Sequence, residues 1–259
     1  TAATPPIQNA VVLIEAGKIK AVGKANEITI PSNYTIYQTK TATPGLIDAR
    51  TLIGISGILN ISIDQDQIEK SSPVQPELRA IDAYNPNETL VKYARSCGIT
   101  TIHTGHGIGA LFSGQTMIAK TKAGTTDDVT IKPLSMLAMT LGPSVSGNYS
   151  SPGTKAKEVS MIRSELIKAQ DYQKKMSNKD SSKRPAFDMK MDVLSQLLKG
   201  EIKALITANS SVDIMNAIRI AKEFNLKLVL DGAAEAYLLI DEIKKAKAEI
   251  ILHATMARN

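Results

Sequence analysis

The sequence predicts an α/β fold built on a parallel sheet, and three stretches carry that prediction. From residue 203 the chain alternates regularly. Lys203-Ala204-Leu205-Ile206-Thr207 reads as a strand and Ser211 to Phe224 as an amphipathic helix. Lys227-Leu228-Val229-Leu230 is again a strand, Ala233 to Lys247 a helix, and Glu249-Ile250-Ile251-Leu252 a strand. Strand–helix repeats with short connections form right-handed βαβ units and therefore a parallel sheet. The second stretch, Gly98 to Gly107, is a β-branched run that leaves a helix and ends in a glycine-punctuated loop. In the third, Pro44-Gly45 marks a turn, and Leu46-Ile47 reads as the start of a fully buried parallel strand.

Taken in order, residues 7–41 read as β. Ala10 to Ile14 and Lys18 to Val22 flank the Glu15-Ala16-Gly17 loop, which has hairpin length. Tyr34 to Gln38 alternates and follows a Pro31-Ser32-Asn33 turn, so a strand is expected there. Residues 53–87 have little periodicity, are punctuated by Gly54, Gly57, Pro73, Pro76 and Pro86, and carry the polar cluster Asp64-Gln65-Asp66-Gln67. A structureless segment of that length is expected to cover the sheet or to carry function. Glu88 to Ser96 predicts a short helix with Asn87 as its N-cap. Thr116 to Ala119 and Val129 to Ile131 are expected to pair as a hairpin across Gly124-Thr125, and Pro133 to Leu141 to hold another strand. From Thr154, which can cap, to Met176 the apolar positions Val159, Ile162, Leu166, Ile167 and Ala169 fall near one helical face. Ser177 to Pro185 reads as a charged linker, and Asp188 to Lys199 as a helix stopped by Gly200.

Composition bounds the function. In 259 residues, 43% are hydrophobic and 22% charged, which is ordinary for a globular chain. No run of 18 apolar residues suggests a membrane span, and Thr1 to Pro6 has neither the basic nor the apolar part of a signal peptide. The compartment, cytoplasmic or exported, stays open. The net charge of +6 is dispersed, and with 4% aromatic residues and no Trp the chain lacks stacking platforms, so nucleic acid is not an expected partner. Cys97 is the one cysteine, which excludes an intrachain disulfide; beside Gly98 it reads as a small buried hydrophobe. No P-loop, Gly-x-Gly-x-x-Gly turn or serine nucleophile elbow is present.

Several phrases carry a resemblance. Pro44-Gly45-Leu46-Ile47-Asp48-Ala49, followed by Arg50-Thr51-Leu52, resembles the metal-dependent amidohydrolases, especially their imidazolonepropionase-like branch. Members of that branch carry Pro-Gly-Leu-Ile-Asp-Ala-His-x-His on the first barrel strand. Gly17 to Gly23 is similar to the family's Gly-Lys-Ile-x-Ala-Val-Gly phrase, and Gly98 to Ile102 to its Gly-Val-Thr-Thr-Val. The resemblance implies a partial (β/α)8 TIM-type barrel over residues 43–259, preceded at 1–42 by part of a small composite β-sandwich. About six of the eight barrel strands are countable, so the chain is expected to be incomplete at its C-terminal side, or unusually open, with exposed sheet edges. The implied activity is hydrolysis of non-peptide C–N bonds in cyclic amides, with zinc or another divalent metal in the relatives.

Functional groups of a parallel barrel lie at the C-terminal strand ends. Here those ends carry Arg50 and Leu52, His103 and His106, Thr207 and Asn209, Asp231, and His253. Arg50 and Leu52 stand where the family has its two histidines, and neither a guanidinium nor an isobutyl group ligates a metal. The resemblance therefore points to a degenerate or metal-free member, with no metal expected on this chain. Catalytic candidates are His103, His106 and Asp231. Pocket candidates are Arg50, Leu52, Thr207, Asn209, His253 and Glu235, the last at a helix opening after Gly232. Arg50 is expected to pair with Asp48 or Asp231. Two readings stay open: a hydrolase, or a non-catalytic barrel that binds a ligand or a partner. The expected partner is a small-molecule ligand or substrate, with a homo-oligomer or pairing with a paralogue as further options.

Overall fold

The structure is a computed structural model and describes residues 5–59 and 61–253. The chain divides into two units, residues 1–45 and 46–259. In the first, β1 (Ala10–Glu15) and β2 (Lys18–Lys24) form an antiparallel hairpin. Its turn places Ala16 and Gly17 at φ 49° and 74°, the left-handed pair that a tight hairpin connection requires. Lys20 and Glu15 form an ion pair beside the turn. Tyr34 to Gln38, expected as a strand, has no regular structure. Alternation alone does not make a strand where no neighbouring strand accepts its ladder.

The second unit is an α/β body around one sheet. Its strands are β3 (Leu46–Thr51), β4 (Ile99–Gly105), β5 (Gly114–Lys120), β6 (Thr130–Lys132), β7 (Met136–Thr140), β8 (Lys203–Ala208), β9 (Leu228–Gly232) and β10 (Glu249–Ile251). The order across the sheet is β10-β9-β8-β7-β5-β4-β3, with β6 pairing β5 from the side. β3 runs parallel to β4, and β7 to β10 are parallel to one another. β5 is antiparallel to both β4 and β7, so the six outer strands share one direction and bring their C-terminal ends to one mouth. This is a nearly closed, partial TIM-type barrel, as the sequence predicts, with one reversed strand set into it. The sequence pattern shows β5 and β6 as a hairpin but not the insertion of β5 between two parallel strands.

The helices are α1 (Ala80–Ala83), α2 (Thr89–Ser96), α3 (Thr126–Val129), α4 (Pro143–Asn148), α5 (Lys155–Met176), α6 (Met189–Leu198), α7 (Ser211–Glu223) and α8 (Ile240–Ala246). Thr154, Asp188 and Ser210 cap α5, α6 and α7 through side-chain oxygens that accept N3 amides. α2 is capped by Glu88 rather than Asn87: its carboxylate reaches the Leu90 amide, while Asn87 is held in a turn by Asn85. The single helix expected from Ala233 to Lys247 is broken. Ala233 lies at φ 49°, a short 3-10 turn covers Ala236–Leu238, and α8 begins only at Ile240. Cys97 is exposed rather than buried, because α2 ends with that side of the chain turned outward.

Two apolar clusters hold this unit. The larger packs β7–β9 against α5–α8, and Val159, Ile162, Leu166 and Ala169 on α5 are buried in it. Ile167, expected on the same face, is 55% exposed because it follows Leu166 around the helix toward solvent. At roughly 1.5–3 kcal/mol for each fully buried large aliphatic side chain, that face accounts for the helix. The smaller collects Ile55, Ala80, Tyr84, Val91, Ile102, Met117, Ala119 and Val129 around β4 and β5. Only two residue pairs, Gly114 with Ala138 and Gln115 with Leu137, form the ladder between β5 and β7, where the halves meet. Leu46 and Ile47, expected to be buried, are 59% and 72% exposed. β3 is the end of the strand order, so one side of its apolar run has no neighbour.

A buried acid cluster sits where α5 and α7 start. Glu158 accepts the Gly142 amide at 2.9 Å, and Asp213 accepts the Ser210 hydroxyl at 2.6 Å and pairs with Lys155. Burial, and then Asp213, push the Glu158 carboxyl above its usual value of 4.5. A raised carboxylate pKa means that its contribution to stability is present below about pH 4.5 and is lost as pH rises. Glu158→Gln, which keeps an oxygen for the Gly142 amide, should therefore melt higher than the parent at pH 7, with the gap closing below pH 4.5. Thermal denaturation at both pH values checks this; a variant less stable at pH 7 contradicts it.

Candidate functional site at the barrel mouth

Arg50 is the fifth residue of β3, and the strand's alternation turns its side chain inward, where it is 5% exposed. Its Nε lies 3.9 Å from Asp231 Oδ2. Four strands separate β3 from β9 in the sheet, so this contact spans the barrel interior and measures how far the sheet has curled. The guanidinium also donates to the His106 carbonyl at 2.5 Å and to the Thr51 carbonyl at 3.4 Å, while the Arg50 amide donates to Asp48 at 3.0 Å. Burial drives the Arg50 pKa down, and Asp231 and Asp48 act against it. A guanidinium starts from so high a value that it keeps its charge.

Asp231, on β9, is 2% exposed and is the hub of the cluster. Its Oδ2 accepts the Thr207 hydroxyl from β8 at 2.7 Å, and its Oδ1 lies 2.6 Å from His253 Nε2, just past β10. The side chains of Arg50, Thr207, Asp231 and His253 thus come together from four strands, and three of these residues are buried in the side chain while His253 is 48% exposed.

His103, on β4, is adjacent to this group but fully engaged. Its Nδ1 lies 2.8 Å from the Ala49 carbonyl and its Nε2 2.7 Å from Thr116 Oγ1. A carbonyl only accepts, so Nδ1 carries the proton and the neutral ring's Nε2 takes the Thr116 hydroxyl. Burial lowers its pKa, with the Arg50 charge in the same direction. His106 is 5% exposed, and neither ring nitrogen has a partner among the described residues. Burial and then Arg50 lower its pKa to about 4, so the ring is neutral at physiological pH. It bears on the cluster through its main-chain carbonyl.

The remaining candidates stand apart. Leu52 is half-buried after β3, and its carbonyl accepts the Ile55 and Ser56 amides. Asn209 is exposed, and its carbonyl receives the Glu235 amide. Glu235 accepts the Ser211 amide at 2.6 Å, and that hydrogen bond lowers its pKa. Its carboxylate is therefore committed to the start of α7, where an external anion would have to compete with it. Sequence reading did not single out Thr116, because the strand that carries it reaches His103 only through the reversed pairing of β5 with β4. A surface depression of about 470 Å³, lined by Lys70, Ser71, Asn148, Tyr149 and Met161 among others, contains none of the cluster residues.

With this geometry in place, the chain was compared with known proteins. It is similar to the crystal structure of an amidohydrolase from Thermotoga maritima MSB8, with a TM-score of 0.82 and 25% sequence identity. The match covers 93% of this chain and 64% of that one, so the chain spans less than two thirds of the length of the structure it matches. The likeness supports the amidohydrolase superfamily. No family model and no curated protein matches the chain.

That superfamily implies a divalent metal, and the donors present here do not fit one. A catalytic ion needs three or four nitrogen or oxygen donors together with an open position. Among the described residues at this mouth, both Asp231 oxygens and both His103 nitrogens are engaged, Asp48 accepts the Arg50 amide, and the two unpartnered nitrogens of the buried His106 belong to a single imidazole. Among the described residues no three His, Cys, Asp or Glu side chains gather as a metal-holding group. The guanidinium adds a repulsion of roughly 8 kcal/mol for a dication at ~4 Å and an effective dielectric constant near 20.

Proposed function

We propose that this chain is a metal-free member of the amidohydrolase superfamily, close to its imidazolonepropionase-like branch, whose mouth binds a small molecule through side chains instead of an ion. Residues 1–42 would be part of the composite β-sandwich and 43–259 the barrel. One observation carries the reading: a buried guanidinium, ion-paired across the barrel to Asp231, lies at a first-strand position where the family motif has histidine. It supplies the positive charge that balances Asp231 and leaves a dication without donors. Metal-dependent hydrolysis of C–N bonds, the activity that the resemblance implies, is on this reading absent.

The reading has a direct test. Protein produced with Zn²⁺ or Mn²⁺ supplied and then dialysed should retain well below one ion per chain by elemental analysis. Arg50→His combined with Leu52→His should raise that occupancy, since it restores the family's His-x-His on the first strand and removes the guanidinium that pairs with Asp231. A stoichiometric ion in the unaltered protein overturns the proposal.

A further inference from the structure

We propose that His253, held by Asp231, is the proton acceptor of this mouth and activates water for attack on a neutral acyl compound, an ester or amide, without a metal. The inference rests on the metal-free reading above and goes beyond it by naming a base, a reaction and a substrate class. Three observations carry it.

The first is the pairing itself. An ionised carboxylate has only acceptors, so at 2.6 Å from Asp231 Oδ1 the His253 Nε2 carries the proton and donates it. Nδ1 then holds a free lone pair, and it makes no hydrogen bond among the described residues. The second is the contrast in exposure. Asp231 is 2% exposed and fixed on its other oxygen by Thr207 at 2.7 Å, whereas the His253 ring is 48% exposed. A buried, anchored acid behind an accessible imidazole orients the ring and stabilises the imidazolium once it forms. The third is elimination. The chain has three histidines; His103 is engaged at both nitrogens, and His106 is sealed in the interior. Charge argues for a neutral substrate. Arg50 is committed to Asp231 and to the Thr51 and His106 carbonyls, so the cluster holds no free cation for an anionic substrate.

The step balances within these groups. As a water oxygen adds to the acyl carbon, its proton passes to His253 Nδ1 and the carbonyl π pair moves to the acyl oxygen. Collapse re-forms the carbonyl and breaks the bond to the leaving oxygen or nitrogen, which takes the proton back from the imidazolium. Water and acyl compound become acid and alcohol or amine. Thr207 and Arg50 act as positioning residues through Asp231.

The test uses the full chain after dialysis against EDTA, with p-nitrophenyl acetate as probe. Chelator-insensitive hydrolysis faster than that of equimolar free imidazole is expected. His253→Gln, a change at a half-exposed position just past β10, should reduce it by about 100-fold while circular dichroism shows the protein still folded. Diethyl pyrocarbonate gives a second readout: one fast-reacting imidazole per chain in the parent and none in His253→Gln. Hydrolysis at the parental rate in His253→Gln, a parental rate no better than imidazole, or no difference in modification each overturns the inference. The metal-free reading fails separately, through a retained stoichiometric ion and loss of hydrolysis in EDTA.

Discussion

Asp231→Asn should lower the stability of the protein by about 3–5 kcal/mol, the cost of leaving one partner of a buried ion pair uncompensated. The substitution changes almost no volume, so a packing defect cannot produce the loss. It acts by leaving the Arg50 guanidinium, 5% exposed, without a counter-charge, and by weakening the hold on His253. Urea denaturation with an unchanged m-value checks it. The companion Arg50→Met with Asp231→Asn should recover most of the loss, because removing both charges of a buried pair is often neutral. If Asp231→Asn alone costs less than 1 kcal/mol on the order of a surface change, the pair is not the strut described here.

Gly114→Ala is the second large effect, with an expected cost of about 3 kcal/mol. Gly114 opens β5 at φ 130°, where a side chain is strained, and that strain is worth roughly 1–3 kcal/mol. An added Cβ would lie 2.4 Å from His106 Cδ2 and 2.9 Å from the Leu78 carbonyl oxygen. The imidazole is buried and the carbonyl belongs to the main chain, so neither yields easily, and overpacking adds roughly 1–3 kcal/mol. Gly17→Ala makes a useful comparison: its φ of 74° is also left-handed, but nothing lies within 4 Å of the added carbon. A thermal shift for Gly114→Ala no larger than for Gly17→Ala would remove the steric part of the argument.

Much of the fold was readable from local pattern. β8, α7, β9 and β10 follow apolar periodicities that the structure keeps to within a residue or two, whereas the helix expected from Ala233 starts only at Ile240; Thr154 caps α5 as its position implies. What the pattern missed depends on partners distant in sequence. Leu46 and Ile47 look like core residues, yet burial needs a neighbour on both sides and β3 has one. β5 looks like half of a hairpin, yet it also pairs with β7. The same distinction holds at the mouth. Arg50, Thr207, Asp231 and His253 could be named as strand ends, because parallel strands gather those ends by construction. That Asp231 would join all three, and that Thr116 would take His103, depends on curl and register, which no short window of sequence contains.

The narrow ladder between β5 and β7 bears on how a guest would be held. Arg50 stands on the side of β3 and β4, and Asp231 on the side of β8 and β9, with two residue pairs of backbone ladder between the halves. A molecule lodged against both would therefore tie the two sides together, and its binding free energy would add to the barrel's resistance to opening.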